Sequence, residues 1–129
     1  MAAIYPDLKD RVVLVTGGGS GIGEAIVRRF AAQQAKVAFI DIAVEPSRAL
    51  VRELAAAGIT VHFEPCDLTD IAALQRSVAA AAKQLGPIQV LVNNAAHDER
   101  HPTEEVTEAM WDSRLAVNLK HQFFCAQAV

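Results

Sequence analysis

The chain has 129 residues and a formal net charge of -3, and 52% of its residues are hydrophobic although only 5% are aromatic. This composition suits one domain with an aliphatic core, and it lacks both the basic stripe that binds nucleic acid and the roughly 18-residue apolar run of a membrane span. The first ten residues lack the apolar segment of a secretory signal, and Cys66 and Cys125 match no metal-ligand spacing, so we expect a cytoplasmic protein with reduced thiols.

Four buried strands are predicted from runs of apolar residues, at 11–16, 36–42, 60–63 and 88–92. Each is separated from the next by a helical pattern, and such units need right-handed crossovers. The pattern therefore predicts an α/β fold, a doubly wound parallel sheet with strand order 3-2-1-4. In that order strand four is a bare apolar edge, and finished domains usually cover such an edge. The domain is therefore expected to be incomplete.

The helices are predicted from apolar residues three or four positions apart. One follows Gly21, a second is closed by Gly58, and a third runs from Thr69 as N-cap to Gly86. A last helix is expected from about Thr103 to the end, with no stop signal. The residues expected on the buried sides of the first three helices are Ile22, Ala25, Ile26 and Phe30, then Leu50, Leu54 and Ala57, then Ile71, Leu74, Val78 and Leu85.

The segment TGGGSGIG, residues 16–23, joins the first strand to the first helix. Glycine permits a sharp turn and a close approach to a pyrophosphate, and the helix N-terminus supplies partial positive charge. A purely structural turn uses the same residue, but the position between a buried strand and an amphipathic helix favours nucleotide binding. It is not a mononucleotide phosphate loop, because Glu24 stands where lysine would be required.

Asp41 closes the second strand, 18 positions after Gly23. A carboxylate there accepts hydrogen bonds from both hydroxyls of an adenosine ribose and repels a 2′-phosphate. The alternative is a solvated strand-end aspartate or a helix cap. Since the glycine loop also has no lysine or arginine, NAD is the expected cofactor rather than NADP.

Further motifs follow the third and fourth strands, namely Cys66–Asp67–Leu68 and Asn93–Asn94–Ala95–Ala96. With the glycine loop and Asp41, they resemble the short-chain dehydrogenase/reductase family along essentially the whole chain. The resemblance implies a Rossmann-type fold, with 1–129 as its incomplete NAD(P)-binding N-terminal half. The predicted cofactor-binding residues are Gly17, Gly19, Ser20, Gly21, Ile22, Gly23, Asp41, Ile42, Asp67, Leu68, Asn94 and Ala95.

Individual roles also follow from the resemblance. Asp67 and Leu68 are expected to hold the adenine, and Asn94 is expected beside the adenosine, where it ties the central strands together. The family usually has glycine where this chain has Ala96, and the added methyl is expected to narrow the space near the nicotinamide ribose.

Asn118 is the predicted catalytic residue, because it matches the family's helix asparagine, which positions a water in a proton relay. The alternative is a buried asparagine that bonds neighbouring backbone. The resemblance also implies a serine and a Tyr-x-x-x-Lys pair after a fifth strand, which the 129 residues lack. Tyr5 and Lys9 have that spacing, but they precede strand one at the opposite end of the sheet, and Pro6 prevents a helix that would align them. The chain alone is therefore predicted to be inactive.

The loop of residues 97–101, HDERH, carries two histidines four positions apart. Such a pair binds metal well on a helix, but this segment follows a strand and precedes Pro102. A polar rim at the mouth of the site is favoured over a metal site. In the family fold this loop borders the substrate, which makes Asp98, Arg100 and His101 candidate contacts for sugar hydroxyls.

Residues 4–23, 39–50 and 98–129 are similar to one branch of the family, the NAD-dependent aldose 1-dehydrogenases, D-xylose 1-dehydrogenase among them. The resemblance implies an oxidoreductase that moves a hydride from a sugar or alcohol carbon to NAD. The alternative is a truncated nucleotide-binding or oligomerisation module without catalysis. A homo-oligomer is expected, because the family's last helix commonly packs between subunits. The residues that offer that surface here are Trp111, Leu115, Leu119 and Phe123.

Overall fold

The structure, a computed structural model, describes residues 3–129 and contains one parallel sheet of four strands. The strands are β1 (Val12–Thr16), β2 (Lys36–Asp41), β3 (Val61–Pro65) and β4 (Val90–Asn93). Their order is β3-β2-β1-β4, so the predicted Rossmann-type sheet is confirmed with its strand order. Met1 and Ala2, part of the segment expected to carry no secretory signal, lie outside the described residues.

In the described part of the chain, five α-helices accompany the sheet: α1 (Gly21–Ala32), α2 (Val44–Ala56), α3 (Ile71–Leu85), α4 (Glu108–Leu115) and α5 (His121–Ala128). A π-helical segment, Ala116–Lys120, joins α4 to α5, and short 3-10 turns span Pro6–Leu8 and Thr103–Glu105. The last helix thus begins later than predicted, after Thr107, whose hydroxyl accepts a hydrogen bond from the Met110 N–H. Within residues 3–129, no helix has the length and apolarity needed to span a membrane.

The core lies on both faces of the sheet. On one face, side chains of β1 and β2 such as Val15 and Phe39 pack against α1 and α2. On the other face, Leu14 and Ile40 pack against α3 and α5. Every residue of β1 is buried, as expected for a strand covered on both sides.

The buried face of α1 agrees with the prediction only in part, since Ile26 and Phe30 pack against the core as expected. Gly23, Val27 and Ala31 face the sheet, whereas Ile22 is 76% exposed and Ala25 is also exposed. The reason is the close packing of Gly23 on the glycine loop, which turns the helix so that this side points inward. The spacing of the bulky residues alone does not reveal that contact.

Two further corrections concern helix ends. Asp70, not Thr69, is the N-cap of α3, and its side chain accepts a hydrogen bond of 2.9 Å from the Ala73 N–H. Ala57 is exposed because α2 ends at Ala56. Gly86 closes α3 as predicted, with a φ of +107°.

Candidate functional site

A cleft of about 830 Å³ lies at the carboxyl ends of the four strands. Every predicted cofactor-binding residue lines it except Gly19. Thr69 and Val117 also line the cleft, although the sequence patterns do not predict them there. The lining residues are Gly17, Ser20, Gly21, Ile22, Gly23, Asp41, Ile42, Cys66, Asp67, Leu68, Thr69, Asn94, Ala95, Ala96, His97, Asp98 and Val117.

The glycine loop is shaped by contacts that leave no room for side chains. Gly17 has a φ of +69°, and its N–H donates to the Ile40 carbonyl of β2 at 2.7 Å. A Cβ on Gly23 would lie only 1.8 Å from the Gly17 carbonyl oxygen. The first turn of α1 is thereby drawn against the loop, and the Ser20 side chain does not cap it. Ser20, Gly21, Ile22 and Gly23 line the cleft, so the uncapped helix N-terminus, with its partial positive charge, borders it.

Asp41 is held by backbone groups on both carboxylate oxygens. Oδ2 accepts from the Gly19 N–H and Oδ1 from the Ala43 N–H, each at 2.8 Å. The residue is only 9% exposed, yet it borders the cleft. Since each carboxylate oxygen has two acceptor sites, one on each stays available for a ligand hydroxyl.

Gly19 lies behind Asp41 rather than in the cleft wall. A Cβ there would come 2.3 Å from Ser47 Oγ and 2.9 Å from Asp41 Oδ2. Ser47 is fully buried on α2, and its hydroxyl donates to the Ala43 carbonyl at 2.7 Å. Because Gly19 and Ser47 are both small, they leave the space that the Asp41 carboxylate occupies. Ser47 is not among the residues predicted from the sequence, where its only signal is its place on the inward side of α2, three residues before Leu50.

Asp67 anchors the loop that follows β3. Its Oδ1 accepts from the Thr69 N–H at 2.9 Å and from the Thr69 hydroxyl at 2.7 Å. These hydrogen bonds lower the pKa of Asp67, so it is a carboxylate at neutral pH. The neighbouring Cys66 thiol is buried, and burial raises its pKa, so it stays protonated there.

The charge of the cleft is acidic. Asp41, Asp67 and Asp98 all line it, and its wall within residues 3–129 contains no lysine or arginine. A ligand with a phosphate next to Asp41 would meet uncompensated negative charge. Arg48, the nearest arginine in sequence, is exposed on α2 and lies 3.7 Å from Glu45.

The end of β4 is tied to the glycine loop through Asn94. Its Nδ2 donates to the Thr16 and Gly17 carbonyls, both at 3.1 Å. The N–H groups of Asn94 and Ala95 both donate to Thr16 Oγ1, at 3.0 and 3.1 Å. These bonds fix the central strands against each other at the floor of the cleft.

Asn118 lies in the π-helical segment and does not line the cleft, although the adjacent Val117 does. Its Oδ1 accepts from the His97 N–H at 2.7 Å, and its Nδ2 donates to the His97 carbonyl at 2.9 Å. Its own carbonyl accepts from Gln122 Nε2 at 2.8 Å. The Asn118 side chain thus holds the loop after β4. Turns of π-helix are frequent at functional sites, and in this one the backbone carbonyl of Asn118 accepts a hydrogen bond from a side chain.

The side chains of residues 97–101 contribute to two different cavities. His97 and Asp98 line the cleft, whereas His101 lines a separate cavity of about 310 Å³ with Trp111 and Arg114. Arg114 and Glu99 form an ion pair of 2.7 Å at this second cavity. Across residues 3–129, no three or more His, Cys, Asp or Glu side chains form a group that could hold a metal ion.

Tyr5 and Lys9 lie far from the cleft. The Tyr5 N–H donates to Gln33 Oε1 at 2.7 Å, and Gln33 is the C-cap of α1, at the opposite end from the glycine loop. Pro6–Leu8 forms a 3-10 turn rather than an α-helical turn. The predicted position of this pair, at the opposite end of the sheet from the glycine loop, is confirmed.

A sequence profile described as short chain dehydrogenase matches residues 11–129. The chain is 54% identical over 126 residues to a probable galactose dehydrogenase of Rhizobium meliloti strain 1021, covering 97% of this chain and 49% of that protein. It is 49% identical over 128 residues to D-xylose 1-dehydrogenase of Caulobacter vibrioides, covering 99% of this chain and 50% of that protein.

Solved structures of short-chain dehydrogenases are also similar to this chain. A variant of a Serratia marcescens short-chain dehydrogenase/reductase is 38% identical, with a TM-score of 0.90 over 96% of this chain and 51% of its own. A blue fluorescent protein from a metagenomic library, in complex with NADPH, is 40% identical, with a TM-score of 0.87 over 94% of this chain and 50% of its own. The chain spans about half the length of the proteins it matches.

Proposed function

The chain belongs to the short-chain dehydrogenase family of oxidoreductases, and we propose that it is the NAD-binding part of an enzyme that moves a hydride between a sugar or alcohol carbon and NAD. Its relatives include sugar dehydrogenases, and the family binds nicotinamide cofactors. The observation that carries the proposal is Asp41, a carboxylate fixed at the end of β2 within an acidic cleft.

We assign NAD rather than NADP from the charges around Asp41. A 2′-phosphate would add about two negative charges beside a carboxylate that cannot swing away, because the Gly19 and Ala43 N–H groups hold it. Two ribose hydroxyls instead match the free acceptor sites of Oδ1 and Oδ2. One similar structure contains NADPH, so the assignment rests on this chain's own residues.

The remaining roles follow the shape of the cleft. The first turn of α1, with Ser20, Gly21, Ile22 and Gly23, is assigned to the pyrophosphate. Gly17 and Gly19 give the loop its turn and leave space for Asp41. Ile42, which is 68% exposed, is assigned to the adenosine edge together with Asp67 and Leu68. Asn94 is assigned beside the adenosine, and Ala95 is assigned to the nicotinamide side, where Ala96 adds a methyl.

Calorimetric titration of the 129-residue chain with NAD and NADP tests this assignment. We expect NAD to bind more tightly than NADP, and Asp41→Ala to weaken NAD binding about 10- to 100-fold, as for the loss of a charge-assisted hydrogen-bond pair. Asp112→Ala, an exposed aspartate on α4, is the matched control and should leave both affinities unchanged. NADP bound more tightly than NAD would contradict the proposal.

We further propose that residues 1–129 form one incomplete domain that lacks the serine and the Tyr-x-x-x-Lys of the active site. The sequence has a single tyrosine, Tyr5, which lies away from the cleft. Asn118 is assigned to the proton relay, which the chain alone would not complete. We expect no reduction of NAD with D-xylose or D-galactose. Turnover that Asn118→Ala abolishes in the same preparation would refute this.

A second candidate function is assembly with another copy of the chain. Trp111, Leu115, Leu119 and Phe123 recur every four residues and are 41–63% exposed. An apolar face of this kind favours a homo-oligomeric interface. Sedimentation of the chain should show a dimer or larger species that Leu119→Glu dissociates. A monodisperse monomer over the accessible concentration range would rule the interface out.

A further inference from the structure

His121 is fully buried at the start of α5, among groups from two other parts of the chain. Its Nε2 lies 3.2 Å from Thr16 Oγ1, at the carboxyl end of β1. Its Nδ1 contacts the Val117 carbonyl oxygen, in the π-helical segment. Neither a metal nor a salt bridge explains its burial within residues 3–129. The ring therefore connects the floor of the cleft to the helix that borders it.

The hydrogen bonds around Thr16 determine which ring nitrogen carries the proton. Thr16 Oγ1 already accepts two hydrogen bonds, from the N–H groups of Asn94 and Ala95. A hydroxyl has two acceptor sites and one proton, so the proton of Thr16 must be donated to His121 Nε2. Nε2 is therefore unprotonated, and Nδ1 carries the hydrogen that is donated to the Val117 carbonyl.

We propose that His121 is a positioning residue that sets the nicotinamide-side wall of the cleft through Thr16. The Thr16 hydroxyl fixes the two backbone N–H groups at the end of β4, and His121 fixes the direction of that hydroxyl. On its other side the His121 ring holds Val117, which lines the cleft and precedes Asn118 in the chain. A single buried side chain thus sets the spacing between β1, β4 and the π-helical segment. The cofactor part of this inference rests on the proposed function, whereas the geometric part does not.

Two conservative substitutions separate the roles of the two ring nitrogens. Glutamine carries an acceptor oxygen at the ε position, so His121→Gln keeps the bond from Thr16. Asparagine carries an N–H at the δ position, so His121→Asn keeps the bond to Val117 and loses that from Thr16. We expect amide hydrogen exchange at Asn94 and Ala95 to rise about tenfold in His121→Asn, as for a buried hydrogen bond lost. In His121→Gln it should stay within about threefold of the unsubstituted chain.

Cofactor binding supplies a readout that general destabilisation would not produce. In His121→Asn, NAD should lose about tenfold in affinity while ADP-ribose, which lacks the nicotinamide, stays within about threefold. His62→Gln, a partly buried histidine on β3 remote from this wall, is the matched control. The exchange of the Val37 amide in β2 reports that the fold is intact.

The outcomes are distinguishable. A long-range nitrogen spectrum with the proton on Nδ1 of His121, and exchange that separates the glutamine from the asparagine variant, would support the inference. A proton on Nε2, or equal exchange in both variants, would overturn it. If neither NAD nor ADP-ribose binds the unsubstituted chain, the proposed function fails, and the exchange and nitrogen measurements still decide the role of His121.

Discussion

The two ends of the cleft, which we propose hold the adenosine and the nicotinamide, differ in how deeply their residues are buried. At the adenosine end, β1 and β2 are covered on both faces, and Asp41 is fixed by two backbone N–H groups. At the nicotinamide end, every residue of β4 is only half-buried, and the loop of residues 96–100 is exposed. The adenosine end is thus held by the core itself. The nicotinamide end depends on a few polar contacts, of which those of Asn118 and His121 are the main ones.

The largest effect is expected from adding a methyl group where α1 packs on the glycine loop. In Gly23→Ala the new Cβ would overlap the Gly17 carbonyl at 1.8 Å and Asn94 Nδ2 at 2.6 Å, so α1 must move away from the loop. We expect NAD affinity to fall by about a hundredfold or more in calorimetry, since the proposed pyrophosphate site is built from these groups.

Gly58→Ala is the control for this substitution. Gly58 lies after α2 with a φ of +78°, and a Cβ added there would meet no atom of residues 3–129 within 4 Å. The substitution should lower stability by about 1–2 kcal/mol, the cost of a left-handed alanine, without changing NAD affinity. Equal NAD affinity in both variants would show that the contact between Gly17 and Gly23 does not shape the site.

Substituting two valines that lie side by side in the sheet tests the difference in burial between β1 and β4. Val15 of β1 pairs with Val92 of β4, but Val15 is fully buried and Val92 is half-buried. We expect Val15→Ala to reduce the free energy of unfolding by about 2–3 kcal/mol and Val92→Ala by about 1 kcal/mol. Urea denaturation gives both values. Similar losses would mean that β4 is as firmly packed as β1.

The distance along the chain between contacting residues also explains which features could be predicted from the sequence. The strand order, the glycine loop and Asp41 follow from local patterns at strand ends, where a parallel sheet gathers them. Ser47 and His121 do not, because each owes its role to residues distant in the chain, and Thr16 is 105 positions from His121. The placement of Ile22 and Ala25 on the buried side of α1 is wrong for the same reason, because a glycine contact outweighs the spacing of larger side chains.

We expect that hydrogen bonds at the nicotinamide end can be removed without loss of binding at the adenosine end. Asn118→Ala removes both hydrogen bonds to the His97 backbone, whereas Asn118→Asp keeps the one that Oδ1 accepts. Exchange of the His97 amide should rise about tenfold in the alanine variant and less in the aspartate variant. NAD affinity should change by less than about threefold in both. A hundredfold loss would show that the two ends are tightly coupled.

The smallest expected effect concerns Asp67, at the edge of the adenosine end. Its pKa is lower in the folded chain than in the unfolded chain, chiefly because of the Thr69 hydroxyl. A depressed carboxyl pKa stabilises the fold fully above the unfolded value, and this stabilisation is lost as the pH falls through the folded value. The loss therefore lies below about pH 4, the ordinary range of aspartate.

Thr69→Val removes the hydroxyl but keeps the backbone N–H bond, so the pKa of Asp67 should rise toward its ordinary value. Carbon NMR titration of the carboxyl measures it. The stability difference from the unsubstituted chain should be present at pH 7 and shrink at about pH 2–3, and it should be small because Asp67 is exposed. Thr107→Val, which removes a cap bond to an uncharged N–H on α4, should cost the same at both pH values. If both variants respond alike to pH, the hydroxyl of Thr69 does not set the charge of this end of the cleft.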